Sequence, residues 1–121
     1  MADAVTEDDT LAEGLQLFNA GAYWHAHEVW EQGWLRSEEP RSTLYKGIIQ
    51  AAAALVHWQR GNLKGLQRNW YKARPRLVAV SALIVELDIT VFITAMDHFV
   101  ITEGAMNVAP RLSLTDALDM H

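Results

Sequence analysis

The sequence has no cysteine. Disulfides, thiolate metal sites and cysteine nucleophiles are excluded together, and the absence fits the cytoplasm. Long apolar runs are missing as well. The longest, such as Ala51 to Val56, fall far short of the roughly 20 residues that a membrane span needs. The opening MADAVTEDDT is acidic and lacks the charged-then-apolar layout of an export signal. A cytoplasmic protein without a membrane partner is therefore expected. Positive charge is scarce: ten Lys and Arg stand against fifteen Asp and Glu, a net charge of −5. Phosphate binding needs a basic stripe, so nucleic acid is not an expected partner. The one basic stretch, Lys64, Arg68, Lys72, Arg74 and Arg76, reads as a solvated helix face.

What is present is apolar content and helical spacing. Half of the 121 residues are hydrophobic, enough for an ordered core in one domain. Leu11, Leu15 and Phe18 mark a first helix from Glu7 to Asn19, stopped by Gly21. A second spans Tyr23 to Arg36, and after the turn SEEPRS a third runs from Arg41 or Ser42 to about Arg60. Gly61 fits a left-handed cap and Asn62 the N-cap of a fourth helix, which reaches about Lys72 before Pro75 either kinks it or opens the next helix at its first turn. Residues 76–87 are β-branched enough for a strand, but no other segment offers a partner strand, so a helix is expected there. Asp88 N-caps a last helix through about Thr102. The expectation is an all-α fold: a compact bundle of five to six helices built on antiparallel hairpins. It forms one domain over 1–121, with 1–6 and 105–121 as loosely ordered tails and one short helix after Ser113.

An internal echo is visible. Gly21 and Gly61 each precede a helix and are each followed nine residues later by a tryptophan, Trp30 and Trp70. Two similar hairpins account for it, and so does coincidence. Gln67 and Tyr71 stand where a copy of His27 and Glu31 would fall, so the sequence alone does not establish a repeat.

The stretch HAHEVWEQGW, residues 25–34, holds the chemistry. At about 100° per residue, Tyr23, Ala26, His27, Trp30, Gly33 and Trp34 share one stripe, with Glu31 at its edge and His25, Glu28 and Gln32 opposite. His27 thus sits among apolar positions, where an unpaired imidazole costs roughly 1–3 kcal/mol, and Glu31 one turn on is its nearest partner. One reading makes the pair two ligands of a divalent metal such as zinc, iron or manganese. The third helix would then complete the site through His57 or Gln50, which line up with Lys46 past the small residues Ala53 and Ala54. A second reading is a metal-free small-ligand or general acid–base site. A third is a buried hydrogen bond that only fixes helix packing in a structural or protein-interaction module. HEVWE is not the zinc-protease H-E-x-x-H, because its fifth residue is Glu31 and Glu28 lies off the His27 face. The ferritin-type E-x-x-H fails at both Trp24 and Ala54. The five tryptophans read chiefly as core and interface anchors, and the apolar stretch 83–101 predicts a dimer contact.

The two blocks LFNAGAYWHAHEVWEQGW and YKGIIQAAAALVHWQRGN resemble the domain-of-unknown-function family numbered 309. Its F-N-x-G-x-Y-x-x-x-H-x-x-x-E-x-x-W block is matched by Phe18, Asn19, Gly21, Tyr23, His27, Glu31 and Trp34. Its G-x-I-Q-x-A block with a following R-G-N is matched by Gly47, Ile49, Gln50, Ala52, Arg60, Gly61 and Asn62. The resemblance covers residues 11 to 74, and the stretch from Pro75 on matches no known pattern. It implies a small all-helical prokaryotic protein with metal binding at the His–Glu motif, and it adds Gln50 to the cluster. The functional expectation is binding of a metal ion or small ligand, with metal-assisted hydrolysis or acid–base chemistry if the protein is an enzyme. The expected metal ligands are His27, Glu31 and His57. The expected pocket lining is Tyr23, Trp30, Trp34, Lys46 and Gln50.

Overall fold

Five helices carry the chain in the computed structural model, which describes residues 7–105 and 108–115: α1 (Glu7–Asn19), α2 (Tyr23–Arg36), α3 (Arg41–Gln59), α4 (Leu63–Val80) and α5 (Ile89–Ile101). Each helix packs on the next, α1 on α2, α2 on α3, α3 on α4 and α4 on α5. The architecture is all-α, as the helical spacing of the apolar residues requires. No helix among the described residues is long and apolar enough to cross a membrane.

The echo in the sequence is a structural repeat. After α1, Gly21 takes φ +86°, its N–H donates to Phe18 O (3.0 Å), and Ala22 N–H donates to Leu17 O (2.8 Å). Forty residues later Gly61 takes φ +75°, its N–H donates to Trp58 O (2.9 Å), and Asn62 N–H donates to His57 O (2.8 Å). Both turns are the same left-handed helix cap, which glycine adopts without strain. The buried positions also correspond: Ala26, Trp30 and Gly33 on α2 match Leu66, Trp70 and Ala73 on α4. Thus α1–α2 and α3–α4 are two hairpins of one design. Their side chains diverged while the turn chemistry and the tryptophan positions did not.

The first hairpin closes around Trp30. A methyl group on Gly14 would lie 2.0 Å from Trp30 Nε1, so the indole occupies the space where a side chain on α1 would be. Its Nε1–H donates to Leu11 O (3.3 Å), and its ring leans on Phe18 with centroids 5.6 Å apart.

Helix α4 does not end before Pro75. It continues to Val80, because Leu66, Trp70, Ala73, Leu77 and Val80 keep one buried stripe on either side of the proline. Pro75 lies on the solvent face, so the carbonyl of Tyr71 that loses its donor is on the side open to water. The helix expected over 76–87 is correct only for 76–80. From Ser81 the chain turns, and Leu87 pairs antiparallel with Leu114. Asp88 N–H donates to Ser113 O (2.9 Å) and Thr115 N–H to Glu86 O (3.0 Å). The partner strand that seemed missing is the segment near the end of the sequence, too short to carry an alternating pattern.

Within the stretch expected to be a loose tail, residues 108–115 lie back across α1. Asn19 pairs with the backbone of Leu112 as a strand would, its Nδ2 donating to Leu112 O (2.9 Å) and its Oδ1 accepting from Leu112 N–H (3.0 Å). Leu112 and Pro110 are buried. The other expectations for the tails, including the rest of a short helix after Ser113, fall on 1–6, 106–107 and 116–121 and lie outside the described residues.

Asp88 Oδ1 accepts from Val91 N–H (3.4 Å) at the start of α5. This helix buries Ile89, Phe92, Ile93, Met96, Phe99 and Val100 within the chain itself, which absorbs most of the apolar excess that pointed to a dimer contact. Asp97 fastens it to α4. It accepts from Trp70 Nε1–H (2.8 Å) and from Arg74 Nε–H (2.9 Å) and Nη2–H (2.9 Å). The Arg74 hydrogen bond, helped by that of Trp70, holds the Asp97 carboxyl below its ordinary range, although partial desolvation works the other way.

Two outcomes are expected. Gly14→Ala forces the Trp30 indole out of its place and destabilises the fold by about 1–3 kcal/mol or more, read from urea unfolding. Asp97→Ala strands the buried Trp70 N–H and costs about 1–3 kcal/mol at neutral pH. Because the folded carboxyl titrates below the unfolded one, its contribution is present above the unfolded pKa of about 3.9 and fades as pH falls through the lower folded value. The gap between wild type and Asp97→Ala therefore narrows in acid, and unfolding curves at a series of acid pH values measure it.

Candidate functional site

Helix α2 places His27 and Glu31 one turn apart, but not where helical phase alone suggested. The fully enclosed residues of α2 are Tyr23, Ala26, Trp30 and Gly33, whose mean direction lies roughly 80° from His27 at 3.6 residues per turn. His27 is at the margin of the buried stripe, with 18% of its side chain exposed, and Glu31 is outside it at 50%. The stripe shifts because two helices claim α2. The ring of Trp30 is drawn to α1 by Gly14, and Tyr45 of α3 lies against the bare backbone of Gly33.

The imidazole is tightly placed all the same. Trp24 stacks on it with centroids 5.2 Å apart and planes 10° from parallel. Nδ1 is shielded from solvent and has no hydrogen-bond partner among the described residues. The nearest Glu31 oxygen, Oε1, is 3.7 Å away. That is beyond a hydrogen bond, though within ion-pair distance for a protonated imidazole.

Helix α3 runs antiparallel to α2. Gln59 Nε2–H donates to Gly21 O (3.0 Å) at one end, and Gly33 meets Tyr45 at the other. His27 falls between these crossings, opposite the alanine run 51–54. Ala53 is half-buried, whereas Ala54 is fully enclosed and belongs to the core. The open side of α3 shows Lys46, Gln50, Ala53 and His57 in a row, as their spacing predicted.

These side chains turn to different partners. Lys46 Nζ lies 5.5 Å from the centre of the Trp34 ring, a cation–π contact across α2 and α3. Gln50 Oε1 accepts from Arg76 Nη1–H (2.8 Å) and so faces α4. His57 sits at the turn between α3 and α4, where its Nδ1 is 3.1 Å from Asn62 Nδ2. Asn62 Oδ1 accepts from Gly65 N–H (2.9 Å), which turns its amide NH2 towards His57 and makes Nδ1 the acceptor. No three His, Cys, Asp or Glu side chains among the described residues are grouped to hold a metal ion. His27, Glu31 and His57 are therefore not gathered around one point.

Of the expected lining, Tyr23 and Trp30 are core residues. Tyr23 is 4% exposed and meets Phe18 edge-on at 5.1 Å, and burial pushes its phenol pKa up. Trp34 is half-buried on α2 with Lys46 over its ring, whereas Gln50 is turned to Arg76 of α4. Trp24 was expected with the other tryptophans to be a core or interface anchor; it is instead 50% exposed, and its place three residues before His27 puts the two on neighbouring helical positions. Two hollows lie elsewhere. A cleft of about 710 Å³ runs between α1 and residues 111–114, and one of about 450 Å³ lies beside α5. None of the expected site residues lines either one.

What the face offers is a shielded imidazole nitrogen, a half-open carboxylate and a stacked indole on α2. The cation Lys46 of the neighbouring α3 lies over the Trp34 ring of α2. This suits binding through two donors. Comparison with known proteins adds the following. Residues 11–69 match the family described as Domain of unknown function (DUF309). An uncharacterized protein of Aquifex aeolicus (strain VF5) is 37% identical over 57 residues, which are 46% of this chain and 17% of that protein. The chain thus covers less than one fifth of the length of that relative. No solved structure matches. Residues 11–69, which hold all of α2 and α3 with His27, Glu31, Gln50 and His57, are thus the part of the chain that is similar to the DUF309 family.

Proposed function

We propose that the protein is a binding domain whose working face is α2 around His27 and Glu31, and that it takes a divalent cation or the polar atom of a small ligand between them. The 3.7 Å separation of His27 Nδ1 and Glu31 Oε1 carries this reading. It is too long for a hydrogen bond between the two groups and short enough for both to reach one shared atom. Two donors each about 2.0–2.2 Å from a zinc ion stand at most roughly 4.4 Å apart, so the pair fits as a two-point clip. The shielded Nδ1 supplies the motive, since an imidazole nitrogen out of water gains most from a bound partner.

With two protein donors, the remaining coordination positions stay open to water or substrate, and a bound cation would act there as a Lewis acid. The stacked Trp24 fixes the ring plane, and Glu31 keeps enough freedom to close on the bound atom. His57, committed to Asn62 at the far turn, takes no part.

Calorimetric titration with zinc tests this. Wild type is expected to bind one equivalent, and His27→Ala to bind none. Glu31→Gln should bind at least about tenfold more weakly while staying within about 0.5 kcal/mol of wild-type stability, as befits a half-exposed side chain. His25→Ala, which alters an exposed imidazole on the opposite side of α2, leaves the titration unchanged. Equal zinc affinity in wild type, His27→Ala and Glu31→Gln would refute the proposal.

A further inference from the structure

Charge is divided along this chain in a way that the net value hides. No Asp or Glu occurs between Glu39 and Glu86, yet eight of the ten cations do: Arg41, Lys46, Arg60, Lys64, Arg68, Lys72, Arg74 and Arg76. All fifteen acids lie outside that stretch. The first hairpin is therefore acidic and the second basic, although the two share one design.

The division is sharpest on the solvent faces of α2 and α4. On α2, Trp24, Glu28, Glu31 and Leu35 fall within an arc of roughly 60° and all are exposed, Trp24 at 50% and Leu35 at 69%. On α4, Lys64, Arg68, Tyr71, Pro75 and Val78 fall within roughly 80° with Lys72 alongside, Tyr71 at 63% and Val78 at 48% exposed. In the repeat Glu28 and Arg68 are equivalent positions of opposite charge. Arg74 is held by Asp97 and Arg76 by Gln50, whereas Glu28, Lys64, Arg68 and Lys72 form no ion pair among the described residues. On α2 the charges lie between the exposed Trp24 and Leu35; on α4 they occupy the earlier turns, with Tyr71 among them and Val78 beyond.

We propose that these faces dock on each other between copies, the acidic seam of α2 in one copy lying on the basic seam of α4 in a second. Glu28 meets the Lys64, Arg68 and Lys72 row, and the exposed apolar side chains pack beside the charges and limit their screening by water. The net charge of −5 repels two copies in most orientations, which favours the approach that joins unlike faces. Where each copy offers one face to a given contact, the contact is heterologous and the average mass rises with concentration. The seam shares Trp24 and Glu31 with the ligand face proposed above, and the test alters neither residue.

Sedimentation velocity over a concentration series tests it. Wild type is expected to associate at about 0.01 M salt, where charges act over about 30 Å, and to dissociate at about 1 M, where they act over about 3 Å. Glu28→Lys and Arg68→Glu, both surface changes checked for folding by circular dichroism, should each weaken association by about tenfold or more. Mixed one to one, the two variants should associate again, since the unaltered α2 of one meets the unaltered α4 of the other. Three results would overturn the proposal. One is a wild type that stays monomeric at low salt, including the case in which Arg68→Glu instead abolishes binding to a short oligonucleotide. Another is association that survives both reversals. The last is a mixture that stays monomeric.

Discussion

Trp30 reaches α1 only because Gly14 carries no side chain, and its indole N–H then finds the carbonyl of Leu11. The rest of the molecule is arranged around that contact. It sets how far α2 rotates on α1, and so which of its side chains are enclosed. With Trp30 fixed inward, His27 is left at the edge of the buried stripe and Glu31 beyond it. Gly33 then offers its backbone to Tyr45, which sets α3 beside α2. The hairpin is rebuilt forty residues on around Trp70. There no carbonyl of the preceding helix answers the indole, and a carboxylate from α5 does. That one difference ties a fifth helix to the second hairpin.

The helices themselves were legible in the sequence. The spacing of Leu11, Leu15 and Phe18, and the glycines at 21 and 61, mark α1, α2 and α3 nearly to the residue, because local turn chemistry and periodicity act within one element. Contacts between elements were less legible. The run through Pro75 depends on which face of α4 is buried, and that is decided by α3 and α5. The pairing of 86–88 with 113–115 involves too few residues to leave a periodic trace. At the site, the residue types were visible and their roles were not. Phase put His27, Trp30 and Tyr23 on one face, but α1 competes with α3 for that face and divides it. Gln50 and His57 lie on the predicted side of α3, yet each is claimed by α4 or its cap. Trp24 counts for more than its solvent-facing position suggested, because stacking on the imidazole requires only that the two rings be neighbours on the helix.

A single α2 serves two environments. Its inner positions are spent on packing, and its outer ones hold a stacked His–Trp pair and an acidic seam. The boundary between them is where His27 sits, half within the core and half within reach of whatever approaches from solvent. The same division holds for α4, whose inner stripe matches that of α2 while its outer face bears the opposite charge. Shared packing with unlike surfaces is what a duplicated hairpin would retain, since core positions answer to a common geometry and solvent positions do not.

The clasp of Asn19 on Leu112 joins residues 93 positions apart. During synthesis both hairpins can assemble from contacts between neighbouring helices before Leu112 has left the ribosome. Until then Asn19 presents an unanswered amide beside the finished turn of the first hairpin, and the cleft along α1 lacks one wall. The order of emergence thus makes the clasp a late event, a closing seal laid over a bundle already formed.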